Sequence, residues 1–556
     1  MHDVNEVADA TISAHPEYLV RKIMWDAYPQ ETSASGHGYP AVTNLIKRLQ
    51  SSGALIFDYG GHGRPDQVSH ENVLRLTDFK AFSNKNLPLW VTATCDIMPY
   101  DGVEPTIGET AVLNENGGAM AFFGTARTVF VPQNKAINRA FMKYVLTYDS
   151  NGKPITIGEA QRLTKSYLIT SSEDRSANKL QYQLLGDPAV ALHLPTQKVV
   201  VDSINGISVN DTQKKATLQA GSIATICGHI EGNNDFTGLV SATIRDSREL
   251  ITCNMNASAA ADSAFAFYDY TKYLFNGSDS IKNGKFNISF AVPLDINYSD
   301  KAGIMNFHAV SSDKQMLAHG YCTNFIVGGT ATVDNDSIGP SIYCYLNSPS
   351  FVNGGNVNST PYFVAQITDA NGINSTGNGI GHDLQLIIDG DMAKTYTLND
   401  NFVYDFGTYT SGTTYYQLPE LSVGKHTLKF RAWDILNNSS TVSLDFNVVR
   451  GLTPKLFNVG VTKNPASTST TFIINHDRVG TTMDVDIEVF DASGRLLWTR
   501  HESGVSTSGA YTSTWNLCTD SGQQLQTGVY LYRVRVACEG SSQASKANKL
   551  VVISNK

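Results

Sequence analysis

The sequence predicts an α/β domain followed by a series of all-β domains. Residues 1–195 alternate between helical stripes and short apolar runs, the pattern of a largely parallel sheet covered by helices. After Pro195 the chain changes to short alternating strands separated by Gly, Asn, Asp and Ser, which is typical of β-sandwiches. The length of 556 residues corresponds to three or four domains. We therefore predict one α/β domain and tandem β-sandwich domains.

Apolar stripes predict the helices of the first domain. Residues 3–12 have a helical pattern, Thr156 and Glu159 form a capping box that begins a later helix, and residues 19–25 have a strand pattern. Two further stripes consist of Val42, Leu45, Ile46 and Leu49, and of Ile137, Ala140, Phe141, Tyr144 and Val145. Together these patterns indicate helices that cover the core strands.

Two apolar runs predict the central strands, and each is followed by a reactive side chain. Residues 54–59 are followed by His62, and residues 87–94 by Cys95. The segment between the runs is long enough for a crossover, so the two strands can be parallel. Because the carboxyl ends of parallel strands meet at one edge of a sheet, we expect His62 and Cys95 to lie close together there.

A thiol beside an imidazole suits nucleophilic catalysis. A cysteine is mostly protonated at neutral pH until a neighbouring base or cation lowers its pKa, and His62 is the candidate base for Cys95. Gly60, Gly61 and Gly63 allow a ligand to approach the backbone closely. The structural alternative is that Cys95 only packs at the end of a core strand while His62 bonds its own loop.

Four segments in order resemble the gingipain-like cysteine peptidases, whose domain has a caspase-like α/β fold. They are DYGGHG at 58–63, TATCD at 92–96, GGAMAFFGTAR at 117–127 and LLGDPAVALHLP at 184–195. The resemblance implies a Cys-His dyad, with Cys95 as the nucleophile, His62 as the base, and the N–H groups of Gly63 and Cys95 as the oxyanion hole. It also implies that the chain is the latter part of a longer peptidase, whose signal peptide and remaining strands would precede residue 1.

Carboxylates have further roles in that family. One lies at the base of the specificity pocket, and Asp3 or Asp9 is the candidate here; the alternative is that each acid only stabilises the start of its helix. The acid that orients the histidine in the family would precede residue 1. Asp96, directly after Cys95, is expected to point away from the thiol.

The rest of the chain divides into predicted β domains at 196–330, 331–450 and 451–556. Residues 283–298 have the pattern of two strands broken at a proline, and residues 328–340 that of a linker. Asp334 and Asp336 in this linker are candidate calcium ligands, with solvated acids as the alternative. No cofactor is expected to be required. His382 and Asp383 form another His-acid pair, but the nearby glycines favour a tight loop that His382 caps or bridges, and Trp433 is expected to anchor the sandwich.

The cysteines exclude a zinc site of the CxxC type. The seven are Cys95, Cys227, Cys253, Cys322, Cys344, Cys518 and Cys538. The six after Cys95 are able to pair in an oxidising compartment, in a connectivity that spacing does not determine. The net charge of −9 argues against a nucleic-acid partner, and no apolar run approaches the roughly 20 residues of a membrane-spanning helix.

The β domains resemble those of the type IX secretion sortases (PorU type) within this family. The resemblance is carried by residues 283–298, 377–383 and 432–440, with residues 464–475, 485–497, 513–536 and 549–553 similar to a type IX C-terminal sorting domain. It implies an exported outer-membrane, cell-surface enzyme with Ig-like β domains. It further implies that the enzyme cleaves sorting domains from protein substrates, binds an outer-membrane shuttle protein, and transfers the cargo to anionic lipopolysaccharide through a thioester.

Two alternatives remain open. One is a secreted hydrolytic cysteine endopeptidase that carries a removable sorting domain. The other is an inactive peptidase remnant that acts as a surface binding or structural protein, for which the strands expected before residue 1 are the main argument.

Overall fold

The computed structural model describes residues 1–33, 36–256, 263–332, 336–377, 381–506 and 508–553. A helix-covered sheet forms the first region. Its elements are α1 (His2–Ala14), β1 (Glu31–Ser33), β2 (Gly36–Gly38), α2 (Pro40–Ser52), β3 (Ile56–Gly60), β4 (Gly63–Arg64), β5 (Gln67–Val68), β6 (Leu74–Arg75), α3 (Leu76–Ala81), β7 (Leu89–Ala93), α4 (Ile107–Leu113), β8 (Ala121–Thr125), α5 (Val131–Val145), α6 (Ile157–Thr170) and β9 (Tyr182–Gly186).

The central sheet of this region has the order β3-β7-β8-β9. Strands β3, β7 and β8 are parallel, whereas β9 runs antiparallel to β8. Alternate residues of β7 face opposite sides: Val91 packs with α1, α5 and α6, and Trp90 packs with α2, α3 and α4. The prediction of a largely parallel sheet covered by helices is therefore confirmed, and the helices form a layer on each side.

Strand β3 ends the sheet on one side. It pairs with β7 alone among the described strands, and its residues Ile56, Phe57 and Asp58 are only half-buried. The apolar stripes at 42–49 and 137–145 lie in α2 and α5, as predicted. In α6, Thr156 accepts a hydrogen bond from the N–H of Glu159 at 3.2 Å, which confirms the predicted N-cap.

The predicted strand at 19–25 is wrong. Residues 19–24 form no regular element, and a short 3-10 turn follows at Trp25–Ala27. The segment lies against the second region, where the N–H of Lys22 donates to a carboxylate oxygen of Asp269 at 3.3 Å. A guanidinium nitrogen of Arg245 donates to the carbonyl of Val20 at 3.3 Å. Bonds to side chains here replace the strand ladder that the local pattern suggested.

The second region consists of strands around one apolar core. Its elements are β10 (Gln197–Ile204), β11 (Ile207–Ser208), β12 (Ala216–Ala220), β13 (Ile223–Ile230), β14 (Gly238–Arg245), β15 (Glu249–Thr252), β16 (Ala266–Asp269), β17 (Tyr273–Ile281), β18 (Lys285–Ala291), β19 (Ile304–Ser311), β20 (Leu317–Cys322) and β21 (Phe325–Thr330). The predicted strand pair at 283–298 is wrong, because only β18 forms there. After Pro293 the chain turns towards the third region, where the N–H of Leu294 donates to the carbonyl of Ile435 at 3.0 Å.

The third and fourth regions each enclose a core between two sheets. The third contains β22 (Ser341–Leu346), β23 (Asn356–Val357), β24 (Tyr362–Thr368), β25 (Gln385–Ile388), β26 (Thr395–Thr397), β27 (Phe402–Tyr404), β28 (Ser411–Gln417), β29 (Gly424–Trp433) and β30 (Ser439–Val448). The fourth contains β31 (Leu456–Val461), β32 (Thr470–His476), β33 (Thr482–Phe490), β34 (Leu496–Val505), β35 (Ala510–Trp515), β36 (Gly528–Cys538), β37 (Ser541–Ala544) and β38 (Asn548–Val552). Among the helices that the structure describes, none is both long enough and apolar enough to cross a membrane.

Candidate active site

The register of β3 and β7 places the two predicted catalytic residues at the same edge of the sheet. Gly60 lies opposite Ala93 in the parallel pair. His62 lies two residues after Gly60, and Cys95 lies two residues after Ala93, so both are beyond the carboxyl ends of their strands. The N–H of Gly61 donates to the carbonyl of Ala93 at 3.3 Å, so the histidine loop is bonded directly to the end of the cysteine strand.

Gly63 fixes how closely the histidine loop approaches the cysteine loop. A Cβ atom at this position would lie 2.6 Å from Oγ1 of Thr94 and 3.0 Å from its Cγ2, so only glycine fits there. The carbonyl of His62 accepts from the hydroxyl of Tyr59 at 2.6 Å and from the N–H of Ser69 at 2.9 Å. The loop is therefore held on both sides. Gly63 itself belongs to β4, opposite Val68, and its role in an oxyanion hole stays a prediction.

Cys95 is half-buried and rests on the loop that precedes α5. Its thiol donates to the carbonyl of Val129 at 3.4 Å. The next residue, Asp96, has a φ of 45°, a left-handed conformation that non-glycine residues rarely adopt. The hydroxyl of Thr128 donates to the Asp96 carboxylate at 2.7 Å, and the N–H of Asp96 bonds the carbonyl of Arg127. Asp96 therefore shapes the turn after the thiol.

The imidazole of His62 stacks on a second histidine that the sequence analysis did not identify. The rings of His62 and His70 are nearly parallel, with centroids 4.4 Å apart. Both side chains are exposed, and β4 and β5 form a small hairpin between them. Within the described residues no hydrogen bond joins His62 to Cys95. Such bonds are often absent until substrate binds, so this geometry leaves the dyad possible.

A polar group formed by the half-buried Asp58 and the buried Asn138 and Tyr182 lies on the same side of the sheet as Cys95. Burial raises the pKa of Asp58 on β3 to about 7, although an amide N–H of Asn138 donates to its carboxylate at 2.8 Å and opposes this effect. The pKa of Tyr182 is well above its usual range, first because of burial and then because of the nearby Asp58 and Cys95. The Tyr182 hydroxyl has no hydrogen-bond partner among the residues that the structure describes. The sequence analysis missed this group because its members come from β3, α5 and β9.

The two candidate pocket acids are both engaged with lysines. Asp3, in the first turn of α1, lies 3.2 Å from the ammonium of Lys135. Asp9 lies 2.7 Å from the ammonium of Lys22 and also accepts from the amide of Asn5 at 2.9 Å. A role of either acid in substrate recognition therefore stays a prediction.

Outside this edge, the other candidate residues have structural contacts. His382 Nδ1 lies 2.6 Å from an oxygen of Asp295 in the second region, and its ring lies against Trp433, with centroids 4.3 Å apart. Asp336 accepts hydrogen bonds from Asn371 and from the N–H of Ile338, whereas Asp334 lies outside the described residues. All seven cysteines are free thiols. Within the described residues, no group of three or more His, Cys, Asp or Glu side chains is arranged to hold a metal ion.

The first region matches a known protein family. Residues 1–193 match the family described as peptidase family C25. This is the gingipain family of cysteine peptidases. The resemblance predicted from the four ordered segments is therefore confirmed, and the coarser interpretation of the first region as a cysteine peptidase domain is supported.

Solved structures give matches of low structural similarity. Dimeric latent PorU from Porphyromonas gingivalis is 26% identical, over 100% of this chain and 49% of that one, with a TM-score of 0.35. The Arg-specific cysteine proteinase gingipain R (RgpB) is 14% identical, over 51% of this chain and 56% of that one, with a TM-score of 0.26. The chain spans about half the length of the PorU structure. No curated protein matches the chain.

Proposed function

We propose that the chain is a cysteine peptidase in which Cys95 is the nucleophile and His62 is the general base. One observation carries this proposal: the loop after β3 and the loop after β7 are bonded at Gly61 and Ala93 and packed at Gly63 and Thr94. An imidazole and a thiol therefore follow two directly adjacent strand ends. Family C25, matched by residues 1–193, supports the same chemistry.

The reaction is acyl transfer through a thioester. His62 accepts the thiol proton of Cys95, and the thiolate attacks the carbonyl carbon of the scissile peptide bond. N–H groups of Cys95 and Gly63 would stabilise the oxyanion of the tetrahedral intermediate. The protonated His62 then donates its proton to the leaving amine as the C–N bond breaks. The cargo is left attached to Cys95 as a thioester.

The Cys95 thiol has to leave its present acceptor before it can react. In the structure it donates to the carbonyl of Val129, while the His62 ring is stacked on His70. A rotation about the Cα–Cβ bond of Cys95 would turn the sulfur from Val129 towards the histidine loop. We expect substrate binding to favour this rotamer, because the thiolate is the nucleophilic form.

The acceptor of the thioester decides between a peptidase and a sortase. We propose that an amine of an anionic lipopolysaccharide resolves the thioester, so that the chain acts as a cell-surface sortase of type IX secretion. The support is the resemblance of residues 283–298, 377–383 and 432–440 to sortase β domains, and of the last region to a C-terminal sorting domain. On this proposal its partners are proteins that carry such domains, an outer-membrane shuttle protein, and the lipopolysaccharide.

Hydrolysis is the second candidate, and the match to a peptidase family favours it. Water would then resolve the thioester, and the chain would be a secreted endopeptidase. Both candidates use the same two residues, so the distinction lies in the product and not in the dyad.

Mass spectrometry of reaction products tests both candidates. The wild-type chain and the Cys95→Ala variant are incubated with a protein that carries a type IX sorting domain, with and without an amine-bearing glycolipid. A Cys95-dependent product that is heavier by the glycolipid would support the sortase, whereas a Cys95-dependent product ending in a free carboxylate would support hydrolysis. Cys518→Ala, a half-buried cysteine of the fourth region, is the matched control and should behave as the wild type. Equal products from the wild type and from Cys95→Ala would refute the dyad and favour a binding protein.

A further inference from the structure

One face of the third region carries four tyrosines. The sheet has the order β22-β24-β28-β27, and its inner face is buried in the apolar core through residues such as Cys344 and Phe363. Side chains alternate along a strand, so the neighbouring positions point outward. The tyrosine face consists of Tyr343, Tyr345, Tyr362 and Tyr415.

The strand register groups these rings into one surface. Tyr345 and Tyr415 both lie opposite Val364, so the three form one row across β22, β24 and β28. Centroids of the Tyr343 and Tyr345 rings are 5.7 Å apart, and those of Tyr362 and Tyr415 are 6.2 Å apart. The rings cover Val364, which is only 4% exposed, while Tyr343 and Tyr415 remain 50% and 41% exposed. The surface is therefore aromatic and accessible to a ligand.

The tyrosine face is held in place and stays neutral. The hydroxyl of Tyr343 donates to the carbonyl of Pro349 at 2.9 Å, which fixes the direction of this ring. Burial and the neighbouring tyrosines raise the pKa of Tyr362 to about 12. A rigid ring with a polar tip offers contact area at a low cost in conformational entropy.

Charged side chains are absent from the outward positions of β22, β24 and β28, all of which the structure describes. Besides the four tyrosines and Val364, these positions hold Ser341, Gln366, Thr368, Ser411, Thr413 and Gln417. The solvent face of an antiparallel sheet is commonly polar, and the chain as a whole carries a net charge of −9. A phosphate or a carboxylate would find no cationic partner at these positions, and the Ser411 hydroxyl already donates to the Asp405 carboxylate at 2.6 Å. The hydroxyl and amide groups at these positions suit an uncharged ligand that forms hydrogen bonds.

The size of the face argues against a second protein. Strands lie about 4.8 Å apart and outward residues about 6.8 Å apart along a strand, so the outward positions of the three strands together cover roughly 360 Å². A stable protein–protein interface buries about 800 Å² of accessible surface on each partner. A peptide that binds by adding a β-strand would pair with a sheet edge and not with a face, because its backbone needs ladder partners. A ligand that is small, flat and rich in hydroxyl groups fits these limits.

We infer that the tyrosine face is a binding site for a neutral carbohydrate of two or three sugar units. The C–H faces of sugar rings pack on aromatic rings, and their hydroxyl groups exchange hydrogen bonds with tyrosine hydroxyls and with amides such as that of Gln366. This inference goes beyond the proposed function and does not depend on Cys95. It gives the third region a role of its own, binding a glycan away from the dyad.

Affinity electrophoresis of the full chain tests the inference. Native gels that contain dextran, laminarin or yeast mannan are compared with gels that contain no polysaccharide. We expect at least one of these neutral glycans to retard the wild-type chain, and the double variant Tyr343→Ser/Tyr415→Ser to weaken binding at least tenfold. Tyr415→Phe keeps the ring and should retain most of the binding.

A matched control separates the site from general surface effects. Tyr321→Ser removes a tyrosine of similar exposure, 46%, from β20 in the second region and should bind as the wild type. Equal thermal melting of all variants shows that they are folded. The inference is overturned if none of the three glycans retards the wild type, or if Tyr321→Ser loses binding to the same degree. It is also overturned if ultracentrifugation shows a dimer that the double variant abolishes, since a second copy would then occupy the face.

Discussion

At the residue scale, the absent side chain of Gly63 is what allows the histidine loop to meet the cysteine loop. We expect Gly63→Ala to abolish most of the Cys95-dependent activity, because a Cβ atom 2.6 Å from Oγ1 of Thr94 must push the loops apart. Overpacking of this kind costs about 1–3 kcal/mol of the free energy of unfolding. Steady-state activity and urea denaturation would measure the two effects.

Gly504→Ala is the control for this substitution. Gly504 lies in β34, and a Cβ atom there would meet no atom within 4 Å. Activity and stability should therefore stay close to those of the wild type. Wild-type activity in Gly63→Ala would show that the close approach of the two loops is not needed for catalysis.

The sequence predicted His62 and Cys95 but not the residues that surround them. Each of the two follows an apolar run, so a local pattern is enough to place both at one sheet edge. His70 contacts His62 only because the β4–β5 hairpin folds back, and nothing in the spacing of the two histidines indicates this. Tyr182 reaches the vicinity of Cys95 from the last strand of the sheet, a contact that only the complete topology creates.

At the scale of elements, β3 and α5 are joined by a hydrogen bond to the carboxyl group of Asp58, which lies among the apolar side chains between them. The amide of Asn138 on α5 donates to Asp58 on β3, and burial raises the pKa of Asp58 to about 7. Between its usual pKa near 4 and this raised value, the unfolded chain loses the proton first. The contribution of Asp58 to stability is therefore fully present below about pH 4 and is lost as the pH rises to about 7.

Asp58→Asn should remove this pH dependence. An asparagine can still accept the hydrogen bond from Asn138 but carries no charge. We expect the variant to be more stable than the wild type by about 4 kcal/mol at pH 8 and nearly equal to it at pH 4, as measured by urea denaturation. The exposed Asp235 provides the control substitution, Asp235→Asn, which should change stability little at either pH. A constant difference between Asp58→Asn and the wild type across this range would contradict the assigned pKa.

Elements with a complete local pattern were predicted correctly, and those held by distant contacts were not. The stripes of α2 and α5 are sufficient to form amphipathic helices against the sheet. By contrast, residues 19–24 have their backbone bonded to side chains of the second region, although their sequence resembles a strand. The capping box at Thr156 is only half formed, because the Glu159 carboxylate pairs with Arg162. The sequence pattern of a segment does not show which distant side chains will bond its backbone in place of a strand or a cap.

At the scale of the whole molecule, successive regions are connected by polar contacts as well as by the chain. Asp295 of the second region contacts His382 of the third. Ser359 of the third region donates to Glu539 of the fourth at 2.9 Å. Met24 of the first region packs with Cys253 and Phe267 of the second in a small apolar cluster. The first region is thus packed against the second, and the same holds for each later pair of neighbouring regions.

Lys22 is a buried polar contact between the first two regions, and its removal should weaken their association. Its side chain is 1% exposed, and its ammonium bonds Asp9 at 2.7 Å and the carbonyl of Tyr268 at 2.9 Å. Lys22→Met fills a similar volume but removes the hydrogen bonds of the buried ammonium to Asp9, Asn5 and the Tyr268 carbonyl, so we expect a loss of about 3 kcal/mol of the free energy of unfolding. Hydrogen exchange should then become faster in both α1 and β16, because the two elements share this lysine. Lys198→Met is the control: it breaks an exposed ion pair with Glu231 at 3.7 Å and should lower the free energy of unfolding by less than about 0.5 kcal/mol. Faster exchange in α1 alone would show that Lys22 stabilises only its own region and does not couple the two.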